Sequence, residues 1–370
     1  MKIVLVVGAR PNFMKVAPII RAINKHNAST RSTHIEPTLV HTGQHYDYEM
    51  SQIFFKDLEL PQPDIYLGVD SGTHAEQTGK IMIELEKVLF KERPHLVIVV
   101  GDVNSTLAAA LAAVKLCIPV AHVEAGLRSY DRTMPEEINR LLTDAISDYL
   151  FTPSPDADEN LKKEGIPQEK IFFVGNVMVD SLLCNKARAE QSQILSQLKL
   201  AEKGYALVTL HRPTNVDEKD SLLRIIEALR EITRRLPVVF PAHPRTRKNI
   251  AKFEFSQILE DRRILLIEPL GYLDFVNLEM NAKFVMTDSG GIQEETTVLS
   301  IPCLTLRNTT ERPITLTRGT NILVWNHTEK IVEEAFKILD GKGKTGNCPE
   351  LWDGKTAERI IKVLAKGEGT

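Results

Sequence analysis

Short apolar runs alternate with longer stretches of helical spacing along this chain. In the first half the runs cover residues 3–7, a weaker one ending at Val40, 96–100 and 120–123. In the second half they cover 171–174, 206–210, 238–240, 264–267, 284–286, 303–306 and 322–324. Most are continuously apolar rather than alternating, which predicts strands buried on both faces of a parallel sheet. Helical spacing fills the intervals. One helix is predicted from the capping-box pattern Thr73-His74-Ala75-Glu76 to about Phe90, and another over the Ala-rich residues 105–116. Residues 219–235, 329–339 and 356–366 read the same way. Strand and helix in alternation predict an α/β protein with helices on both faces of its sheets. Pro153, Pro155 and Pro167 cluster where one half hands over to the other, so the boundary is expected near residue 168. The expected architecture is two Rossmann-like, doubly wound domains, 1–168 and 169–352, facing each other across a cleft. A final helix within 353–370 is expected to pack back on the first domain.

Composition narrows the class. A chain of 370 residues, 43% of them hydrophobic, is long enough for two domains with cores of their own. A net charge of −3 gives no reason to expect nucleic acid or an anionic membrane as partner. The stretch 107–123 is broken by Lys115 and Pro119, so no membrane-spanning helix is expected. Residues 1–8 are too short an apolar run for a signal peptide. Cys117, Cys184, Cys303 and Cys348 lie far apart and form no Cys-x-x-Cys pair. That speaks against a structural metal and for a reducing, cytoplasmic setting. Cys117 and Cys303 lie in apolar stretches and are expected to be buried thiols.

In open parallel sheets ligands bind beyond the carboxyl ends of the strands, and here nearly every run ends in a charged or polar group. Gly8, Arg10 and Lys15 follow the first run, His41, Gln44 and His45 the second, Gly101 and Asp102 the third, Glu124 and Arg128 the fourth. The later runs are followed by His211 and Arg212, by His243, by Ser289-Gly290-Gly291, and by Arg307, Glu311 and Arg312. A lone residue of this kind is more often a solvated loop group, but so many predict a functional rim shared by both domains. Residues 283–295 are the most telling, because a strand, a Gly-Gly turn and a helix start follow one another directly. Such a start presents backbone N–H groups and a dipole to a phosphate. It also reads as an ordinary turn with Ser289 as N-cap. Arg10, Lys15, His211, His243, Arg312 and the Gly290 helix start sort as anion binders. Asp102, Glu124, Glu136 and Glu137 would repel a diphosphate, and so suit acid–base chemistry on an uncharged part of the ligand. Glu136 and Glu137 equally suit the acidic first turn of a helix after Pro135, and Asp102 a helix cap.

Taken in order, the blocks form a familiar series. They are Gly8-Ala9-Arg10-Pro11 with Lys15, His41-Thr42-Gly43-Gln44-His45, Gly101-Asp102, and His122-Val123-Glu124-Ala125-Gly126-Leu127-Arg128. Pro135-Glu136-Glu137-Ile138-Asn139-Arg140, His211-Arg212, Glu268-Pro269-Leu270, Asp288-Ser289-Gly290-Gly291 and Arg307 to Pro313 complete it. Over residues 8–313 the chain closely resembles the non-hydrolysing UDP-N-acetylglucosamine 2-epimerases. The resemblance implies a glycosyltransferase-B-like fold, a UDP-sugar ligand, no cofactor and a homodimer. It implies that UDP leaves to give 2-acetamidoglucal and re-adds, while C2 takes its proton on the opposite face, yielding UDP-N-acetylmannosamine. It implies catalytic roles for Asp102, Glu124, Glu136 and His211, with the separate roles of the three carboxylates open. Arg10 and Lys15 match basic residues of the active site, Ser289 and Gly290 (with Gly291) phosphate contacts, and Arg312 a UDP-side arginine. Glu295 matches a ribose contact and Phe275 an aromatic ring stacked on uracil.

Two departures concern regulation. Pro213-Thr214 follows His211-Arg212 where many bacterial members carry Arg-Glu, and Tyr46-Asp47-Tyr48 stands where they have Arg-Glu-Met. In the family these regions help bind a second UDP-N-acetylglucosamine as activator, so that regulation does not carry over with the catalytic positions. The alternatives are a hydrolysing epimerase, a glycosyltransferase of the same fold, and a sensor without activity. His211-Arg212 in place of His-Pro speaks against the first, and the carboxylate set against the other two.

Overall fold

The computed structural model describes residues 1–29, 34–43, 59–256 and 263–366. The chain divides into two compact units, Met1–Cys184 with Glu350–Thr370, and Asn185–Pro349. Among the described residues of the first unit, seven parallel strands form one sheet. They are β1 (Lys2–Val7), β2 (Glu36–His41), β3 (Ile65–Tyr66), β4 (Leu96–Val100), β5 (Val120–Val123), β6 (Tyr149–Thr152) and β7 (Ile171–Phe173). Their order is β3-β2-β1-β4-β5-β6-β7. Helices α1 (Arg10–Ser29), α2 (His74–Glu92), α3 (Asn104–Lys115), α4 (Pro135–Ile146), α5 (Pro155–Lys163) and α6 (Val177–Ala189) accompany them. Every residue of β4 and β5 is buried; β4 accordingly reads as an unbroken apolar run, whereas β5 buries His122 among its apolar residues. The capping box of α2 is formed: Thr73 accepts from the Glu76 N–H, and the Glu76 carboxylate accepts from the Thr73 N–H.

The second unit repeats the plan. Its described strands are β8 (Ala206–Thr209), β9 (Val238–Pro241), β10 (Ile264–Ile267), β11 (Phe284–Thr287), β12 (Cys303–Thr305) and β13 (Asn321–Leu323). All are parallel, in the order β10-β9-β8-β11-β12-β13. Helices α7 (Ile194–Gln197), α8 (Pro213–Val216), α9 (Lys219–Thr233), α10 (Pro244–Lys252), α11 (Tyr272–Asn281), α12 (Gly290–Val298), α13 (Pro313–Thr317) and α14 (Thr328–Leu339) surround it. Alternate strand residues feed two cores. Val208, Phe240 and Met286 pack with Ile225 and Leu229 of α9 and Ile331 of α14, whereas Leu207, Val239 and Val285 pack with Leu278 of α11 and Ile292 of α12. Each sheet reverses its order once, at β1/β4 and at β8/β11, and those are the places where ligands bind in open α/β sheets.

The chain then returns to the first unit as α15 (Thr356–Lys366), which packs on α1 and buries Ile360, Ile361 and Leu364. The buried Asp180 carboxylate accepts the N–H groups of Thr356 at 3.1 Å and Ala357 at 2.7 Å, filling the role of a cap for α15. Trp352 donates its indole N–H to the Pro153 carbonyl at 2.8 Å.

Two expectations from the sequence need correction. Residues 171–173 are the edge strand β7 of the first sheet, paired with β6, so the first unit does not end near residue 168. The prolines placed there punctuate turns inside the unit, Pro155 as the first residue of α5 and Pro167 before a single 3-10 turn. Cys117 is exposed, because it lies beyond the end of α3 in a left-handed turn with φ +56°. The two-residue strand β3 was not foreseen, being too short to carry a pattern. No helix among the described residues is long and apolar enough to cross a membrane.

Candidate functional site

At the first switch point the turn after β1 is tied to the end of β4. Asn12 accepts from the Gly8 and Ala9 N–H groups at 3.1 and 2.9 Å and donates to the Val100 carbonyl at 3.0 Å. Beyond Val100 comes Gly101, with φ +69°, where a Cβ would lie 2.6 Å from the Lys15 Nζ. Asp102 follows, half-buried. Its carboxylate pairs with Arg140 of α4, and its carbonyl accepts from the Asn139 amide at 2.9 Å. Asp102 is not a helix cap, since Val103 holds that place without any side-chain bond. Beyond β5 stands Glu124, which is buried and adopts φ +76°, a left-handed conformation costly for a residue with a Cβ. Its carboxylate pairs with the buried Lys15 of α1. Lys15, sorted by sequence with the anion binders, thus neutralises a carboxylate in this structure.

The two neighbouring acids of α4 part company. Glu137 is buried, pairs with Arg140 at 2.6 Å, and accepts from the N–H groups of Ser129 and Tyr130 at 2.9 Å each. Burial alone would raise its carboxyl, but these bonds and the Arg140 charge outweigh that and hold it below the usual range. Glu136 is half-buried and has no hydrogen bond or ion pair among the described residues, so it is the one left available. The side chain of Arg10, and both Gln44 and His45, lie outside the described residues.

In the second unit His211 follows β8, and its Nδ1 lies 2.9 Å from the Asp288 carboxylate beyond β11. Asp288 is fully buried and also accepts the N–H of Arg212 and the amide of Asn215. Burial would raise its carboxyl, but attraction to His211 and these bonds hold it below its ordinary value. The ionised Asp288 fixes the orientation of the half-exposed imidazole through its Nδ1. His243, beyond β9 on the same edge, is exposed and caps α10, its Nδ1 accepting from the Arg245 N–H. Ser289 precedes α12 without a side-chain cap bond, so the first N–H groups of the helix have no side-chain partner there. A Cβ on Gly290 would lie 2.5 Å from the Arg312 guanidinium. Gly291 follows in the same first turn. Arg312 bonds Glu294 at 2.7 Å and pairs with Glu311, which also holds Arg307 at 2.6 Å and lies 3.8 Å from Arg212. Arg212, Arg307 and Arg312 thus gather with Glu294 and Glu311 beside the helix start. Glu295 of α12 is buried and accepts from the Tyr272 hydroxyl at 3.1 Å. Phe275 is half-buried on α11, packed against the core on the same side as Ile292.

Each unit therefore gathers its candidate residues at the carboxyl edge of its own sheet. Sequence reasoning quoted Asn139, Arg140 and Asp288 as parts of motifs without assigning them work. The available signals were the i,i+3 spacing of Glu137 and Arg140 on one helix, and a carboxylate directly after a strand.

Residues 27–365 match the family model described as UDP-N-acetylglucosamine 2-epimerase. Over 374 residues the chain is 47% identical to a UDP-N-acetylglucosamine 2-epimerase of Methanocaldococcus jannaschii, covering 100% of both chains. It is 44% identical over 370 residues to a UDP-2,3-diacetamido-2,3-dideoxy-D-glucuronate 2-epimerase of Pseudomonas aeruginosa, covering 99% of this chain and 100% of the relative. The crystal structure of the Methanocaldococcus jannaschii UDP-GlcNAc 2-epimerase in complex with UDP-GlcNAc and UDP matches with a TM-score of 0.90 at 48% identity. That match covers 99% of this chain and 100% of the other, so the glycosyltransferase-B-like two-domain α/β fold is common to both.

Proposed function

The chain belongs to the UDP-N-acetylglucosamine 2-epimerase family, and on that premise we propose that it interconverts UDP-N-acetylglucosamine and UDP-N-acetylmannosamine. A carboxylate of the first unit takes the C2 proton as the C1–oxygen bond to UDP breaks. The C–H electron pair becomes the C1=C2 double bond of 2-acetamidoglucal, and the C1–O pair leaves with UDP. A UDP oxygen then re-adds at C1, and C2 takes a proton on the opposite face. The sequence of steps is redox-neutral and is written without a cofactor. It asks for proton carriers at C2 and stabilisation of charge on the departing diphosphate.

Asp102, Glu124 and Glu136 are the proton carriers in this reading, Lys15 is the cation paired with Glu124, and Arg10 is assigned a basic active-site role by the family resemblance alone. His211, His243, Ser289, Gly290, Gly291 and Arg312 receive the diphosphate, Glu295 the ribose hydroxyls, and Phe275 the uracil. The observation that carries the reading is Glu124. It is a buried carboxylate in a strained backbone conformation, paired with Lys15 against the Gly101–Asp102 turn. Ordinary strand-end turns need none of this. By the family resemblance the enzyme is a cytoplasmic homodimer, which light scattering tests as twice the mass of one chain.

Incubation with UDP-N-acetylglucosamine in deuterated water, followed by proton NMR, tests the reaction. The expected product is UDP-sugar of both epimers, labelled at C2. Free N-acetylmannosamine would instead mark a hydrolase, and an unlabelled, unchanged substrate would remove the proposal. The identity to the Pseudomonas aeruginosa relative favours a second reading, the same chemistry on a UDP-uronate with acetamido groups at C2 and C3. Running that sugar in parallel separates the two by rate.

A further inference from the structure

His122 of β5 is fully buried and has two partners. Its Nδ1 lies 2.6 Å from the Asp144 Oδ1 and its Nε2 lies 2.8 Å from the Gly101 carbonyl oxygen. A carbonyl oxygen only accepts. So does the Asp144 carboxylate, whose other oxygen accepts the Gly126 N–H at 3.0 Å and lies 2.7 Å from the Arg128 guanidinium, a setting that fits the ionised form. Two acceptors facing two ring nitrogens require an N–H on each, and only the imidazolium supplies both.

The carbonyl held by His122 belongs to the residue that aims Asp102. Gly101 is in the left-handed region and its N–H donates to the Val123 carbonyl at 3.0 Å, so β5 holds this turn on both sides. Val123 also leads directly into Glu124. We propose that His122 is a positioning residue, an imidazolium that clamps the Gly101 carbonyl and thereby sets where Asp102 and Glu124 present their carboxylates. It acts through that turn and touches no substrate. The inference rests on the reading of Asp102 given above.

The first test is spectroscopic and uses the full chain labelled with 15N-histidine at pH 7.5, with His122 assigned through backbone correlations. The expected result is one ring with a proton on both nitrogens. A bare ring nitrogen overturns the proposal. The second test is kinetic. His122→Gln offers a single side-chain amide in place of two opposed ring donors, and is expected to lose roughly a hundredfold in kcat through misplacement of the carboxylates. KM and UDP affinity should stay within about twofold of the parent. Unchanged kcat in a folded variant, or a parallel loss of UDP affinity, overturns the positioning role. Asp102→Asn serves as reference. If it turns over normally, the reading of Asp102 falls, and this inference with it. If it is inactive while His122→Gln is fully active, only the inference about His122 fails.

Discussion

Glu295 illustrates how much one buried carboxyl can report. Burial pushes it up to about 7, with Glu294 adding to the shift and the Tyr272 hydroxyl opposing it. Nearby Glu279 is buried with no hydrogen bond to either oxygen, and burial together with the Glu295 charge raises it well above the ordinary range. The unfolded chain releases the Glu295 proton near 4.5, whereas the fold keeps it to about 7. The folded state therefore binds more protons across that window, and stability falls as pH climbs through it. Glu295→Gln should flatten the fall in thermal midpoint between pH 4.5 and 7.5 and melt higher than the parent at pH 7.5, with Glu279 leaving a residual slope. A slope as steep as the parent's would show that Glu295 is already ionised in the fold. At the first unit, Asp102→Asn, Glu124→Gln and Glu136→Gln should each lower turnover by at least roughly a hundredfold, the scale of a lost general acid or base. Steady-state rates near the parent's in any one would take that residue out of the mechanism.

The elements work because each switch point leaves a turn that a neighbouring element must hold. At β4 the holder is α4, through Asn139 and Arg140; at β8 it is the Asp288 turn beyond β11. Helix α12 depends on its glycine in a different way. The Gly290 position is crowded by an Arg312 guanidinium that Glu294 and Glu311 pin in place, so the far end of this side chain does not swing aside freely. Gly290→Ala should displace Arg312 and weaken UDP binding by about tenfold or more, the ~1.5–3 kcal/mol range of one lost charge-assisted bond. Calorimetry on the folded variant checks this, and unchanged UDP affinity would separate Arg312 from the nucleotide site.

At the scale of the whole molecule, the two units carry different chemistry. In the proposed reading the second, with His211 and the cluster of Arg212, Arg307 and Arg312, receives the diphosphate, and the first, with Asp102, Glu124 and Glu136, carries the proton chemistry. His211→Ala and Arg312→Ala should each cost UDP binding something like 1.5–3 kcal/mol, the value of a hydrogen bond to a charged group. The carboxylate variants of the first unit should bind UDP much as the parent does. Calorimetric affinities that fell equally in both sets would contradict this division.

Nearly every strand was legible in the sequence because burial on both faces writes itself as an unbroken apolar run, and the capping box of α2 because it needs only residues 73–76. The chain also showed, without coordinates, that charged and polar residues collect after the strands. It did not show which sheet β7 joins, since an apolar run is the same at the edge of either. Only the family resemblance, and not pattern or spacing, distinguished Glu136 from Glu137, adjacent acids of which only the second pairs with Arg140. The pairing of Lys15 with Glu124 joins residues brought together across the reversal of strand order, and the clasp of Gly101 by His122 joins the ends of two strands laid side by side, β4 and β5. Periodicity is local, set by the geometry of one helix or strand. Pairing, and with it charge state, depends on which elements become neighbours, and only the tertiary structure decides that.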